Sequence, residues 1–294
     1  MNVRQKGFTL IEIAIVLLIV AILLGYTVAL FPIQQELKQY KQADTEMNEI
    51  IDALIGFAQV NGRLPCPAIP NSLGAEDIET VVPAECNNYG GFVPVATLGI
   101  EGRLNGDSLL MDPWGNPYRY YVSNSDVGGE AGSDFIVAGD MRTVGLVDEF
   151  DVSISAPGHD SYIDLDGQFI ICDAAGTSND DLCAGANLVF GDDSQGTGGP
   201  YAGAPFVLVS HGKDWSQLAE TGDQLENLGS SGTTSDLGMA AGPSGFNYTI
   251  KNVAGRETTF VKRLTGFADD FDDIVKWASP NLLFSKMIEA DQLP

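Results

Sequence analysis

The sequence predicts an α+β chain: a long N-terminal helix packed on an antiparallel β-sheet, followed by a β-rich, loop-rich C-terminal extension. Three observations carry that expectation. An apolar run occupies Phe8 to Phe31. An amphipathic stripe with steps of three and four continues it to Asn61, the spacing of one helix face. Beyond Gly62, short apolar runs alternate with Gly-, Pro- and Asp-rich segments, as short strands joined by turns do.

The apolar run holds 24 residues, about 36 Å as helix, against a hydrocarbon core of roughly 30 Å. Arg4 and Lys6 precede it, so the start is expected to stay cytoplasmic and the remainder to be exported. The run is too long for a secretory signal peptide, and no small-x-small cleavage site follows it. Its one charge is Glu12. A carboxylate at the centre of a spanning helix costs ~2.5–3.5 kcal/mol, so Glu12 calls for a partner or an interfacial position. Pro32 marks an expected bend. Helix then resumes with Ile33, Leu37, Tyr40, Met47, Ile51, Leu54 and Ala58 on one stripe and Lys38, Lys41, Asp44 and Glu49 mostly off it. Asn61-Gly62 is its expected C-terminus.

Charge narrows the function classes. Fifteen basic against forty acidic residues give a net −25. From Ser123 to Asp193 there are fifteen Asp and Glu and one basic residue, Arg142. Such a surface repels phosphate backbones and argues against nucleic-acid binding. The four cysteines, Cys66, Cys86, Cys172 and Cys183, form no CxxC or zinc spacing. In an exported, oxidising setting an even count reads as disulfides. Three pairings are open. The two local ones, Cys66–Cys86 and Cys172–Cys183, each close a Gly-, Pro-, Asn- and Asp-rich loop, worth ~3 kcal/mol in the chain-entropy model. Four reduced buried thiols are the alternative.

After Gly62, RLPCPAIPNSLGAEDIETVVPAECNNYGG is an ordered loop, and Tyr118–Val122 reads as a strand after the turn DPWGNP. Further apolar runs are Phe135–Ala138, Phe150–Ile154, Gln168–Ile171, Leu188–Phe190, Pro205–Val209, Tyr248–Val253, Thr258–Val261 and Asp273–Trp277. SPNLLFSKMIEADQLP suggests a short terminal helix. No enzyme signature is present. His159 and His211 are the two histidines, and adjacency of Ser210 and His211 cannot by itself make a triad. The clustered Asp160, Asp164, Asp166, Asp270, Asp272 and Asp273 offer hard oxygen donors that could suit Ca²⁺. Asp164-x-Asp166-Gly167 is only a fragment of an EF-hand loop, and solvated turn aspartates are the plain alternative. No cofactor is required.

KGFTLIEIAIVLLIVAIL resembles the N-terminal signature of type IV prepilins and of the pseudopilins of type II secretion. The resemblance implies that a prepilin peptidase cuts after Gly7 and methylates the new N-terminus at Phe8. It implies that Glu12 then meets the N-terminal amine of an adjacent subunit, two costly charges compensating each other. Pilins often carry a proline where this chain has Ala29; here Pro32 comes three residues later. DPWGNPY also resembles a segment of major pseudopilins. APFVLVSHGKDW and FADDFDDIVKWAS resemble tails of larger pilin-like proteins. Some pseudopilins bind calcium after their DPWG equivalent.

The implied organisation is a leader at 1–7, a transmembrane helix half at 8–31, a stem at 32–62, a pilin-like core at 63–145 and a β-rich region at 146–294. The implied setting is the bacterial inner membrane, with the globular domain periplasmic before assembly. Implied partners are other pilin or pseudopilin subunits, prepilin peptidase, the inner-membrane assembly platform and the bilayer. The implied function is a minor subunit of a type IV pilus. The first alternative is a minor pseudopilin of a type II secretion system; very large tip pseudopilins often lack the glutamate, so Glu12 argues against that tip role. A membrane-tethered periplasmic binding protein is the second.

Overall fold

The computed structural model describes residues 9–80, 83–124, 135–141, 167–173, 183, 188–191, 203–213, 227, 234–236, 249–251, 259–263 and 271–293. The chain divides into two compact units, Met1–Ala43 and Asp44–Pro294. Helix α1, Leu10–Asn61, contributes to both and runs unbroken through Pro32. In the first unit its apolar side chains from Leu10 to Leu24 are exposed. Among the described residues no helix is long and apolar enough to cross a membrane; the described side chains of the apolar run end at Leu24.

The second unit is built around one four-stranded sheet. Strands β1 (Gly90–Phe92), β2 (Arg119–Val122), β5 (Phe206–Ser210) and β9 (Ile274–Trp277) pair in the order β1-β2-β5-β9, all antiparallel. One face receives the stripe of α1: Met47, Ile50, Leu54 and Ala58 pack with Tyr118, Tyr120, Val122, Phe206 and Leu208. The terminal helix α3, Pro280–Glu289, adds Leu283 and Met287 to the same core. The other face packs Tyr121, Val207 and Val209 with Phe169, Ile171 and Phe260, and Phe260 lies 5.0 Å from Tyr121 and 5.5 Å from Phe169 between ring centroids. Both faces of β2 and β5 are therefore covered. That is why YYV and FVLV read as apolar runs without a polar alternation, with Arg119 before YYV itself fully buried. Each such aliphatic or aromatic side chain gains ~1.5–3 kcal/mol from full burial.

A second sheet orders β4 (Leu188–Phe190), β3 (Ile170–Cys172) and β8 (Thr259–Val261). The antiparallel sheet expected beneath the stem helix is the four-stranded one, while in this second sheet β3 pairs antiparallel with β4 and parallel with β8. Two local readings change. The run Phe135–Ala138 makes a turn whose Phe135 and Ile136 are fully buried: the residues serve the core without a ladder partner. Thr234–Asp236, inside one of the Gly- and Asp-rich segments expected to separate strands, forms β6 paired with β7 (Thr249–Lys251). A one-turn helix α2, Val95–Leu98, closes on Gly99 with φ +68°. Phe150–Ile154 and the 145/146 boundary lie outside the described residues.

The loop after α1 is pinned at several points. Gly62 ends the helix at φ +67°. Cys66 and Cys86 are bridged, as are Cys172 and Cys183, so the two local pairings are the ones formed. Arg63 donates to both oxygens of Glu76 at 2.8 and 2.7 Å, and the Cys66 N–H donates to Glu76 Oε2 at 3.0 Å. Within the loop the Ala75 N–H donates to the Ser72 carbonyl at 3.0 Å. The two residues between them, Leu73 at φ +54° and Gly74 at φ +76°, are both left-handed. That is the type I′ arrangement, which glycine, asparagine and aspartate dominate. A leucine in the left-handed region costs ~1–2 kcal/mol.

Candidate functional site

At the start of α1, Thr9 and Glu12 cap the helix reciprocally. The Thr9 N–H and hydroxyl both donate to Glu12 Oε2 at 3.0 Å, and the Glu12 N–H donates to Thr9 Oγ1 at 3.3 Å. This is the capping box, in which the residue three places on reaches back to the N-cap. It was legible in the sequence as T-x-x-E before an apolar run, and the sequence reading passed over it. Both hydrogen bonds fall on Oε2, so among the described residues Oε1 accepts none. Glu12 is exposed among Ile11, Ile13, Ile15 and Val16, themselves exposed. Gly7 and Phe8 lie outside the described residues.

A second constellation lies at one end of the four-stranded sheet. It joins described parts of the three segments singled out in the globular region: DPWGNPY, VSHGK and FDDIVKW. Asp112 is 1% exposed, and its Oδ1 accepts the N–H groups of Trp114 at 3.0 Å and of Gly115 and Asn116 at 2.8 Å. Its Oδ2 accepts the Ser210 hydroxyl at 2.7 Å. Burial lifts the Asp112 carboxyl above its ordinary range, opposed by the hydrogen bonds of Asn116, Ser210, Gly115 and Trp114. The Asn116 amide donates to the Gly212 carbonyl. Gly212 itself is left-handed at φ +65°, and a Cβ there would collide with Asp272.

From the other side, Asp272 accepts the Lys213 N–H, and Asp273 Oδ1 lies 3.3 Å from His211 Nδ1. Asn227 completes the junction. Its amide donates to Asp273 Oδ2 at 2.8 Å and to the Val261 carbonyl at 2.9 Å, and its Oδ1 accepts the Val261 N–H at 2.7 Å. The side chain thus imitates a strand neighbour for β8. Asn227 was not picked out from the sequence, and nothing in its local pattern marks it.

Chemically this junction closes structure rather than exposing reactive groups. Ser210 ends β5, and it and His211 engage different carboxylates, Asp112 and Asp273. Of the six aspartates considered for calcium, Asp160, Asp164, Asp166 and Asp270 lie outside the described residues. Asp272 and Asp273 are buried at 7% and 5% exposure and committed to Lys213, His211 and Asn227. They are not the solvated turn aspartates expected. Among the described residues no group of three or more His, Cys, Asp or Glu is placed to hold a metal ion.

Neither a curated protein nor a solved structure matches the chain. The prokaryotic N-terminal methylation motif matches residues 2–28, the segment that contains Thr9 and Glu12. The chain therefore carries the prepilin-type signature at its N-terminus.

Proposed function

We propose that this chain is a minor structural subunit of a type IV pilus, with a pilin-like fold and no enzymatic role. The observation that carries the reading is the methylation motif at residues 2–28, which supports a type IV pilin or pseudopilin. The motif implies processing by prepilin peptidase and assembly with other pilin subunits. Before assembly the apolar run of α1 sits in the inner membrane, with Arg4 and Lys6 cytoplasmic and the second unit exported. The exposed side chains from Leu10 to Leu24 are then covered first by lipid and later by neighbouring helices.

Cleavage after Gly7 frees an ammonium at Phe8. Glu12 keeps its capping bonds to Thr9 on Oε2 and offers Oε1 to the ammonium of an adjacent subunit. In an apolar filament core each charge alone is expensive, and pairing them fixes the axial register. The same motif also fits a minor pseudopilin of type II secretion, and a pilus-motor or secretin gene cluster beside the gene separates the two.

Mass spectrometry of the N-terminal peptide, in cells with and without prepilin peptidase, tests the processing step. The expected peptide begins at N-methylated Phe8 and is found only when the peptidase is present. An intact Met1 in both strains reduces α1 to a tether, and the membrane-held binding protein becomes the better account.

A further inference from the structure

Leu73 has no structural reason to be leucine. It is 75% exposed and occupies the first central position of the type I′ turn Ser72–Ala75. Asparagine or glycine is the unstrained choice there, and among the described residues no core cluster includes Leu73. Its loop is rigidly held by the Cys66–Cys86 bridge and the Arg63–Glu76 pair. Further bonds run from the Glu76 N–H to Thr97 Oγ1 and from the Ala96 N–H to the Gly74 carbonyl. The same loop carries Glu79, which is exposed, and Asp77, which is half-buried. Among the described residues the Asp77 carboxylate accepts the neutral amides of Asn87 and Asn88 and no cation. The result is a pre-ordered apolar knob on an acidic loop, and strain kept at an exposed site points to recognition.

A complementary surface exists on α1. Leu37 is 63% exposed, and Lys38 and Lys41 are exposed beside it. At 100° per residue the three fall within about 100° of the helix circumference. Lys38 and Lys41 are the only cations between Glu12 and Arg63. Once the leader 1–7 is removed, residues 8–43 carry two acidic and two basic side chains, the basic ones being Lys38 and Lys41, whereas 44–294 carry 11 basic and 38 acidic, net −27. Opposite potentials on two surfaces of one chain favour head-to-tail contact between copies, the heterologous type that propagates instead of closing.

From this complementarity we infer that the Leu37–Lys38–Lys41 face of one copy is a docking site for the Leu73 loop of a second copy. The apolar centre is Leu73 against Leu37. Glu79 meets the two lysines, and Asp77 adds to the negative potential behind it. The contact rests on the filament reading and adds to it a site outside the methylation motif. Being partly electrostatic and near the surface, it weakens as salt rises.

The experiment uses two full-length, differently tagged chains expressed together, one Leu73→Cys and one Leu37→Cys, treated with a short bis-maleimide. A parallel pair carries Leu17→Cys in both chains, to report packing of the apolar helices. The expected result is a mixed-tag adduct from Leu73→Cys with Leu37→Cys, reduced several-fold by Lys38→Glu and restored by adding Glu79→Lys to the partner copy. No such adduct, with the Leu17 pair still cross-linking, overturns the docking site and leaves the filament reading standing. No adduct from either pair overturns both. A second variant guards against misfolding: Leu73→Asn should hold or raise the unfolding midpoint while filament incorporation falls several-fold. Unchanged incorporation of that variant also overturns the inference.

Discussion

Glu12 and Asp112 are both carboxylates that accept a hydroxyl from Thr or Ser together with backbone N–H groups, yet their surroundings are opposite. Asp112 is sealed in, and both of its oxygens are in use. Glu12 is exposed on a helix of exposed leucines, isoleucines and valines, and among the described residues one of its oxygens accepts nothing. A buried carboxylate with both oxygens hydrogen-bonded belongs to a finished structure. An exposed one set in apolar surroundings, with acceptor capacity left over, belongs to a structure completed by something else. The second unit folds on itself, whereas on the proposed reading the exposed stretch from Leu10 to Leu24 is covered by lipid or a neighbouring subunit.

The largest expected effect breaks the comparison at Glu12. Glu12→Ala removes both the cap and the charge, and filament incorporation should fall by about tenfold or more, in line with loss of a charge pair in an apolar setting. Leader cleavage and membrane insertion should be unaffected. Glu12→Gln sharpens the test, since glutamine can also complete a capping box. If charge pairing matters, Glu12→Gln incorporates as poorly as Glu12→Ala. Wild-type incorporation of the glutamine variant, measured by separating filament and membrane pools, would show that capping alone is at work.

Asp112 gives the next effect, seen in folding rather than assembly. Asp112→Ala orphans three buried N–H groups and the Ser210 hydroxyl, and should cost about 3 kcal/mol or more. Asp112→Asn keeps an oxygen for the three N–H groups and should cost about 1 kcal/mol. The pH dependence has a definite sign. Burial holds the Asp112 value above its ordinary range, so its contribution is full below the unfolded-state value and is lost as pH rises through the folded one. The stability of wild type relative to Asp112→Asn should therefore decline with rising pH across that window, followed by urea midpoints of the detergent-solubilised chain. A difference that grows with pH would contradict the burial argument.

The bridge Cys66–Cys86 comes close behind. Replacing both cysteines with serine frees a loop of about 20 residues and should cost about 3 kcal/mol on the chain-entropy account. Unchanged thermal unfolding would mean that Arg63 and Glu76 hold the loop unaided.

How much of this was legible beforehand follows from the range of each signal. The stem helix announced itself because Met47, Leu54 and Ala58 recur at helical spacing and Asn61-Gly62 stops the pattern. The strands around Tyr120 and Leu208 stood out as apolar runs. Their covered second face could not be read, because it depends on Phe169 and Phe260 arriving from distant segments. Parallel pairing of β3 with β8 is likewise a property of topology, not of either strand's residues. In the N-terminal segment the methylation motif was plain, while the Thr9–Glu12 box went unnoticed beside it. The junction was half visible: DPWG, SHGK and DDFDD were noted separately, and nothing local says that Asp112 takes Ser210 or that Asn227 stands in for a strand.

The smallest effect concerns the tie between α1 and β9. Lys276 Nζ lies 2.6 Å from Asp44 Oδ1 and donates to the Asp44 carbonyl at 3.0 Å and to Asn48 Oδ1 at 2.7 Å. Asp44 is more than half exposed, so solvent screens the pair and Lys276→Met should cost only about 0.5–1 kcal/mol. A second readout separates charge from packing. Lys262 stands 4.8 Å over the Trp277 ring, and its amine is held below the usual lysine range first by burial and then by Lys276. Removing the Lys276 charge should lift the Lys262 value part of the way back, leaving the share due to burial. Because a lowered lysine value makes stability rise as pH rises through it, the variant should show a shallower alkaline rise than wild type. A Lys262 titration that is identical in both proteins, followed by NMR of its side-chain amine, would show that burial alone sets it and that the ammonium of Lys276 is spent entirely on Asp44 and Asn48.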